Sequence, residues 1–169
     1  MNEKKRVLVA YGSKHGATAG LAEHIGAVIR EAGHEVEVLA AGEVEDIGRY
    51  HAVILGSGVY IGRWLKEASR FLKRHETALA GIPTWLFSSG PTGEGQPEKI
   101  IGDWRFPSDL KETADRVKPR DIKLFHGLID PKKLSLLERQ AVKMVKAAIG
   151  DHRDWEMIAT WAKEIAAEL

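Results

Sequence analysis

The sequence predicts an α/β protein, a three-layer, doubly wound domain in which helices cover both faces of a five-stranded parallel sheet. Short apolar runs rich in β-branched residues alternate with longer segments whose apolar positions recur at helical spacing. This alternation is typical of a parallel sheet between two helical layers. The chain has 169 residues, which at ~150 residues per domain predicts a single domain.

Five apolar runs carry the strand prediction, at residues 6–10, 35–39, 52–56, 83–88 and 122–128. The first run ends in Tyr-Gly-Ser, as expected for a buried strand that reaches a turn. Helical spacing covers residues 17–32, where Gly33 ends the pattern. Two more helices are predicted at residues 134–149 and 155–168. Another amphipathic helix is indicated by a stripe made of Trp64, Leu65, Ala68, Phe71 and Leu72.

The composition is that of a globular protein, with 44% hydrophobic and 29% charged residues. The 25 Lys and Arg residues nearly balance the 24 Asp and Glu residues, so no nucleic-acid partner is expected. The chain has no cysteine, which excludes disulfides, thiolate nucleophiles and iron–sulfur clusters. Any redox chemistry must therefore come from a bound cofactor. The first apolar run is too short for a signal-peptide core or a membrane span, which predicts a cytoplasmic protein.

A turn between the first strand and the first helix is the most informative segment. It contains Ser13, Lys14, His15, Gly16, Ala17 and Thr18. Unpaired N–H groups at a helix start attract an anion, and the hydroxyls on either side of a glycine add donors. We expect a phosphate site here, since open α/β sheets bind ligands at such turns. The alternative is an ordinary turn whose hydroxyls only cap the helix.

This turn lacks the Gly-x-Gly-x-x-Gly spacing of dinucleotide folds and the Gly-Lys-Ser/Thr ending of P-loops. It resembles the flavodoxin phosphate loop, Ser/Thr-x-x-Gly-x-Thr, with Ser13, Gly16 and Thr18 at the matching positions. His15 stands where family members often have Thr. The resemblance implies a flavodoxin-like fold and a noncovalently bound FMN, whose phosphate this loop holds.

The resemblance also implies that two further loops close over the isoalloxazine ring. One follows the third strand and contains Ser57, Gly58, Val59, Tyr60, Ile61 and Gly62. The other follows the fourth strand and contains Ser88, Ser89, Gly90 and Pro91. Tyr60 and Trp64 are candidates to stack on the ring, because aromatic faces pack against other π systems. Trp64 also fits the apolar stripe of the following helix.

The carboxyl-terminal part of the chain, from Gly127 to the helix that contains Trp161, is similar to a narrower group of flavodoxin domains. That group includes menaquinone-dependent protoporphyrinogen dehydrogenase, which implies a quinone acceptor and a porphyrinogen substrate as a further hypothesis. Residues 90–107 lack periodicity and are rich in Gly and Pro, so a long loop is predicted there. Its Trp104, Arg105 and Phe106 could receive a flat anionic molecule, or the two aromatic residues could pin the loop to the domain.

Residues 134–149 carry a basic face opposite an apolar one. The basic residues on and just before the helix are Lys132, Lys133, Arg139, Lys143 and Lys146, and the apolar positions are Leu134, Leu137, Ala141, Met144 and Ala148. Such a helix either lies on an anionic membrane surface or packs on a sheet with its charged face in water. We expect the second. The histidines lack metal-ligand spacing, so we expect them to be exposed or hydrogen-bonded and predict no metal site.

Three functions remain open from these residues. The first is an FMN-binding electron-transfer protein or small oxidoreductase whose partner is a redox protein or a quinone. The second is oxidation of a porphyrinogen with a quinone acceptor. The third is a cofactor-free binding module, against which the intact Ser13, Gly16 and Thr18 argue. Flavodoxins are acidic, whereas this chain has a pI of about 8.0, so a different partner surface is expected.

Overall fold

A computed structural model describes residues 3–90, 104–144 and 147–169 of the chain. Five parallel strands form its main sheet in the order β2-β1-β3-β5-β6. They are β1 (Arg6–Gly12), β2 (Glu35–Ala40), β3 (Ala52–Tyr60), β5 (Thr84–Ser89) and β6 (Asp121–Phe125). A short β4 (Arg63–Trp64) pairs antiparallel with the end of β3. The predicted five-stranded parallel sheet is confirmed.

Helices cover both faces of the sheet, as the sequence predicts. One face carries α1 (Ala17–Glu31) and α6 (Trp155–Glu168), which pack on a core that includes Val9, Ile54 and Phe87. The opposite face carries α2 (Lys66–Arg74), α3 (Glu76–Ala80) and α4 (Lys111–Val117). Their core includes Leu8 and Leu55. Alternate residues of each strand enter opposite cores because successive side chains point to opposite faces.

Two boundaries differ from the prediction near the third strand. β3 continues four residues beyond the predicted end at Gly56, because residues 57–60 still pair with neighbouring strands. The predicted loop after this strand is therefore a β-hairpin, β3 turning into β4. Trp64 belongs to β4, and α2 begins at Lys66, so the prediction that Trp64 and Leu65 lie in the helix is wrong. An apolar stripe does not distinguish a helix from the strand that precedes it.

The elements that follow β6 also differ from the prediction. The strand ends at Phe125, three residues earlier than predicted, and Leu128–Ile129 (β7) pairs instead with Gly150–Asp151 (β8). Between them α5 spans Leu136–Met144, shorter than the predicted 134–149, with residues 145–146 outside the described part. No residue of α5 is buried. The expectation that this helix packs on the sheet is wrong, because the separate β7–β8 pair carries it at the surface, where none of its side chains is buried.

The long loop predicted at residues 90–107 is described only at its ends. Residues 91–103, which include Pro91, lie outside the described part. The helix α4 that follows was absent from the prediction, since its seven residues are too few to show a clear period.

Candidate functional site

Three strand ends meet at the carboxyl edge of the sheet. Gly12 of β1 is paired with Ser57 of β3, and Ser57 is paired with Ser88 of β5. One residue further, Gly58 is paired with Ser89. The loops that follow these strands therefore leave the sheet side by side, at the position where open α/β sheets bind their ligands.

The side chain of Thr18 joins the three loops. Its Oγ1 lies 3.0 Å from Ser89 Oγ in a buried hydrogen bond. A Cβ placed on Gly58 would lie 3.1 Å from the same Thr18 Oγ1, so only a glycine fits without displacing it. Residues of all three predicted loops are thus in contact through one hydroxyl, which itself is almost fully buried.

The start of α1 offers backbone donors. Gly16 adopts φ 91, a left-handed conformation that glycine tolerates, and it precedes the helix without any side-chain cap hydrogen bond. Ser13 Oγ accepts the Gly16 N–H at 3.0 Å, which shapes the turn before the helix. Ser13 therefore orders the turn and does not cap the first helical turn. Among the described residues, no side chain caps the N–H groups at the start of α1, which stand at the positive end of the helix dipole.

A charged cluster lies beside this turn. Glu138 of α5 places Oε2 at 3.0 Å from both Lys14 Nζ and His15 Nε2. Its Oε1 accepts the Ser135 N–H at 3.1 Å, and Ser135 Oγ accepts the Glu138 N–H in return. The hydrogen bond from His15, then those from Ser135 and Lys14, lower the pKa of Glu138 to about 2. The side chains of Lys14 and His15 are therefore both held by a carboxylate more than 120 residues further along the chain.

Two more basic residues contact the backbone of the same turn. Lys133 Nζ donates to His15 O at 3.3 Å. Arg153 donates to Ala17 O at 3.3 Å and is held by an ion pair with Asp151 at 2.8 Å. A Cβ placed on Gly20 would lie 2.7 Å from Arg153, so this guanidinium lies directly against the first turns of α1. Three basic side chains, Lys14, Lys133 and Arg153, therefore lie at or against the turn, and two carboxylates, Glu138 and Asp151, pair with Lys14 and Arg153.

The turn between β3 and β4 projects from the sheet edge. Ile61 has φ 50 and Gly62 has φ 72, so both central residues of this two-residue hairpin are left-handed. Ile61 is fully exposed, although a β-branched residue is strained in this conformation. Tyr60, just before the turn, is 39% exposed. The hairpin therefore holds an aromatic and an aliphatic side chain at the surface next to residues 13–18, the predicted phosphate turn.

Tyr60 is linked to the charged cluster. Lys14 Nζ lies 5.5 Å from the centre of its ring, within the range of a cation–π contact. Partial burial and the Glu138 carboxylate raise the pKa of Tyr60. Tyr60 is thus the aromatic residue of the hairpin that stays partly accessible and close to the phosphate turn.

Trp64, the second candidate for stacking on the ring, is buried in the protein. It is 5% exposed and donates from Nε1 to Ser88 Oγ at 2.7 Å. Its ring contacts Phe106 edge-on with 5.3 Å between centres. Phe106 accordingly pins the loop before α4 to the core, one of the two roles considered from the sequence. The hydroxyl of Ser57 is used internally as well, since it donates to Gly58 O and accepts from Leu65 N.

The loop after β5 lies against two other segments. Gly90 donates its N–H to Phe125 O at 3.3 Å, and a Cβ on Gly127 would lie 2.9 Å from Gly90 O. Val59 is in contact with Gly90 from the hairpin side. Close backbone approach therefore requires the glycine at position 127. Trp104 lies near the hairpin, with its Nε1 3.7 Å from a Cβ placed on Gly62.

The histidines differ from the expectation in two cases. His34 and His51 accept backbone N–H groups, as expected. His126 is buried, and neither ring nitrogen has a hydrogen-bond partner; His75 Nε2 is likewise unpartnered. Among the described residues, no group of three acidic, histidine or cysteine side chains could hold a metal ion.

The sequence-based set missed Glu138, Lys133 and Arg153. All three come from the segment after β6, more than 110 residues from the turn that they contact. The Ser-x-x-Glu spacing of Ser135 and Glu138 is a helix-capping signal, but it cannot indicate that the carboxylate reaches another loop. In the described part of the chain, no helix combines the length and the apolar character that a membrane crossing requires.

Comparisons with known proteins agree with this geometry. Protoporphyrinogen IX dehydrogenase (quinone) of Escherichia coli is 20% identical over 172 residues, which cover 95% of this chain and 94% of that protein. A flavodoxin of Nitratidesulfovibrio vulgaris is 55% identical over 42 residues, 25% of this chain and 28% of that one. The crystal structure of flavodoxin 2 from Bacillus cereus matches with a TM-score of 0.64 at 20% identity, covering 97% and 99% of the two chains.

The flavodoxin domain family matches residues 8–156, a range that includes the three converging loops and the segment carrying Glu138. With the strand order and the loop geometry described above, this match shows that the chain belongs to the flavodoxin domain family, whose members bind FMN.

Proposed function

We propose that this protein binds FMN at the carboxyl edge of its sheet and transfers electrons through it. The observation that carries the proposal is the contact of the three loops at Thr18, beside a helix start without a side-chain cap. A helix start of this kind binds phosphate. The residues present therefore fit the cofactor of the family.

Each loop has a separate role in this proposal. Residues 13–18 hold the phosphate with backbone N–H groups and with Lys14 and His15. The hairpin Ser57–Gly62 and the loop Ser88–Pro91 flank the ring, with Tyr60 as the stacking side chain. FMN supplies the redox chemistry, which no side chain of this cysteine-free protein provides. The protein contributes orientation and charge, and the carboxylate of Glu138 competes with the phosphate for Lys14 and His15.

The partner of the flavin is a redox protein or a quinone. The charged side chains described at this turn are the basic Lys14, Lys133 and Arg153 and the acidic Glu138 and Asp151, which leaves one net positive charge. The turn therefore differs from the acidic surface by which flavodoxins meet basic partners, and it favours an acidic protein or an anionic small molecule.

Porphyrinogen oxidation with a quinone acceptor is the second candidate. The Escherichia coli relative supports it over nearly the whole chain, and Trp104 lies beside the hairpin turn at Gly62. A flat substrate needs an aromatic approach to the flavin edge of this kind. FMN-loaded protein mixed anaerobically with protoporphyrinogen and a menaquinone analogue should produce porphyrin fluorescence faster than free FMN does. A rate equal to that of free FMN excludes this candidate and leaves electron transfer.

Titration of the apoprotein tests FMN binding. We expect FMN to bind at least tenfold more tightly than riboflavin, because the phosphate contacts of a helix start contribute to affinity. Thr18→Val keeps the side-chain shape and removes the hydroxyl that joins the loops. Because this hydrogen bond holds two of the loops together before FMN binds, we expect its loss to weaken FMN binding severalfold. Thr113→Val, at another buried threonine on α4, is the matched control and leaves the affinity unchanged. Equal affinities for FMN and riboflavin would contradict the phosphate site.

A further inference from the structure

A strap formed by residues 128–151, described except for residues 145–146, carries an uncovered apolar surface. It begins and ends in the β7–β8 pair, and α5 lies between them. Leu136, Leu137 and Met144 of α5 are 78%, 79% and 83% exposed. Clustered apolar side chains in water mark a surface that meets another protein or a membrane.

The contacts of Glu138 show which side of α5 faces outward. Its carboxylate reaches Lys14 and His15, so this side of the helix faces the phosphate turn. Val142, one turn later on the same side, is partly buried. Leu137 and Met144 are seven residues apart and share a side that faces away from the protein.

The charge of the strap indicates which kind of partner binds this apolar surface. The whole strap contains five basic side chains and three acidic ones, of which Asp151 is paired with Arg153. Within residues 131–144, four basic side chains stand beside one acidic side chain, Glu138, whose carboxylate is turned inward. The basic residues are Lys132, Lys133, Arg139 and Lys143. The outward face contains no aromatic residue, whereas protein interfaces concentrate their binding energy on Trp, Tyr and Arg in buried pockets. A short helix with Leu and Met on one side and Lys and Arg at its margin matches an anionic lipid surface.

We propose that the outward face of α5 binds the surface of an anionic lipid bilayer. Leu136, Leu137 and Met144 enter the boundary between headgroups and acyl chains, and Lys132 and Lys143 contact the anionic headgroups. The inward contacts of Glu138 then keep the phosphate turn directly behind the membrane-bound helix. This inference does not depend on FMN, because every residue it uses lies on the strap.

Vesicle co-sedimentation of the full-length protein tests the proposal, with phosphatidylcholine vesicles compared with vesicles that also contain phosphatidylglycerol. We expect binding at least tenfold stronger to the anionic vesicles, and weaker in high salt. Two double variants, Leu137→Ser with Met144→Ser and Lys132→Gln with Lys143→Gln, should each lose at least tenfold in binding. All four side chains are exposed, so thermal melting followed by circular dichroism should be unchanged.

The matched controls change exposed residues elsewhere on the protein. Ile122→Ser, at an exposed position of β6, and Lys73→Gln with Lys163→Gln should bind the anionic vesicles like the wild type. No preference for anionic vesicles, or equal losses in the controls, overturns the proposal. Binding to poly-glutamate that matches the vesicle binding and survives the Leu137 and Met144 changes also overturns it and assigns the face to acidic proteins.

Discussion

Ile61→Asn is expected to stabilise the apoprotein. Ile61 has φ 50, in the left-handed region, and its side chain is fully exposed. This conformation costs an L-residue roughly 1–2 kcal/mol, and it is least favourable for a β-branched side chain. Asparagine adopts it at lower cost, and no buried apolar area is lost on replacing a side chain that lies entirely in water. The net gain in the free energy of unfolding should therefore be about 1 kcal/mol.

Urea denaturation of the apoprotein measures this gain in the free energy of unfolding, and thermal denaturation measures the corresponding shift in melting temperature. A gain of about 1 kcal/mol raises the melting temperature of a chain of this size by roughly 2–4 °C. Ile149→Asn is the control, because Ile149 is 60% exposed and is not among the described residues with positive φ. Its effect should stay within about 0.5 kcal/mol. If Ile61→Asn is no more stable than the control, backbone strain at the hairpin turn is refuted.

The strain at Ile61 also predicts a functional cost. Residues in strained backbone conformations cluster at functional sites, where the strain can serve binding. We expect Ile61→Asn to bind FMN several-fold less tightly than the wild type while it gains stability. Unchanged affinity for FMN would separate the strained turn from cofactor binding.

Three further substitutions test an ion pair, a buried hydrogen bond and a strained backbone position. Glu138→Gln should lower the free energy of unfolding at pH 7 by less than about 1 kcal/mol, as for other partly exposed ion pairs. Since the pKa of Glu138 falls to about 2 on folding from its ordinary value of 4.5, its contribution is present above pH 4.5 and is lost as the pH falls toward 2. In urea titrations, the difference in the free energy of unfolding between variant and wild type should therefore be smaller at pH 3 than at pH 7. The same difference at both pH values would contradict the ion pair. Ser88→Ala leaves the buried Trp64 N–H without its acceptor and should cost about 1–3 kcal/mol of stability by denaturation, whereas a cost near zero would mean that the N–H finds another acceptor. Lys118→Gly, at the φ 56 position that ends α4, should add about 0.5–1 kcal/mol; a loss in the same assay would place the strain elsewhere.

The architecture and the centre of the site were predictable because local patterns encode them. Alternating apolar runs and helical stripes are properties of neighbouring residues, and a parallel sheet brings the carboxyl ends of its strands to one edge. The phosphate turn could be recognised because Ser13, Gly16 and Thr18 lie within six residues. Its contact with the loop after β5, through Thr18 and Ser89, agrees with that prediction.

The environment of that turn depends on tertiary structure. Glu138 reaches Lys14 across more than 120 residues, and no local pattern encodes a contact between such distant positions. Trp64 is similar: its apolar stripe indicated burial correctly, but pairing with β3 and the hydrogen bond to Ser88 decide that it is a strand residue. The same limit explains α5, whose amphipathic pattern could not indicate whether its apolar side meets the sheet or water.

The sequence by itself determined the alternation of strands and helices around a parallel sheet and predicted a flavin ligand and a phosphate loop, since each rests on residues close together in the chain. The tertiary structure decided which charges surround that loop, which aromatic residue stays accessible and where α5 places its apolar face. The periodicity of the sequence indicates which face of a helix or strand is buried and which is exposed. The partner that each face meets is set by chain topology, which brings segments together irrespective of their separation in sequence.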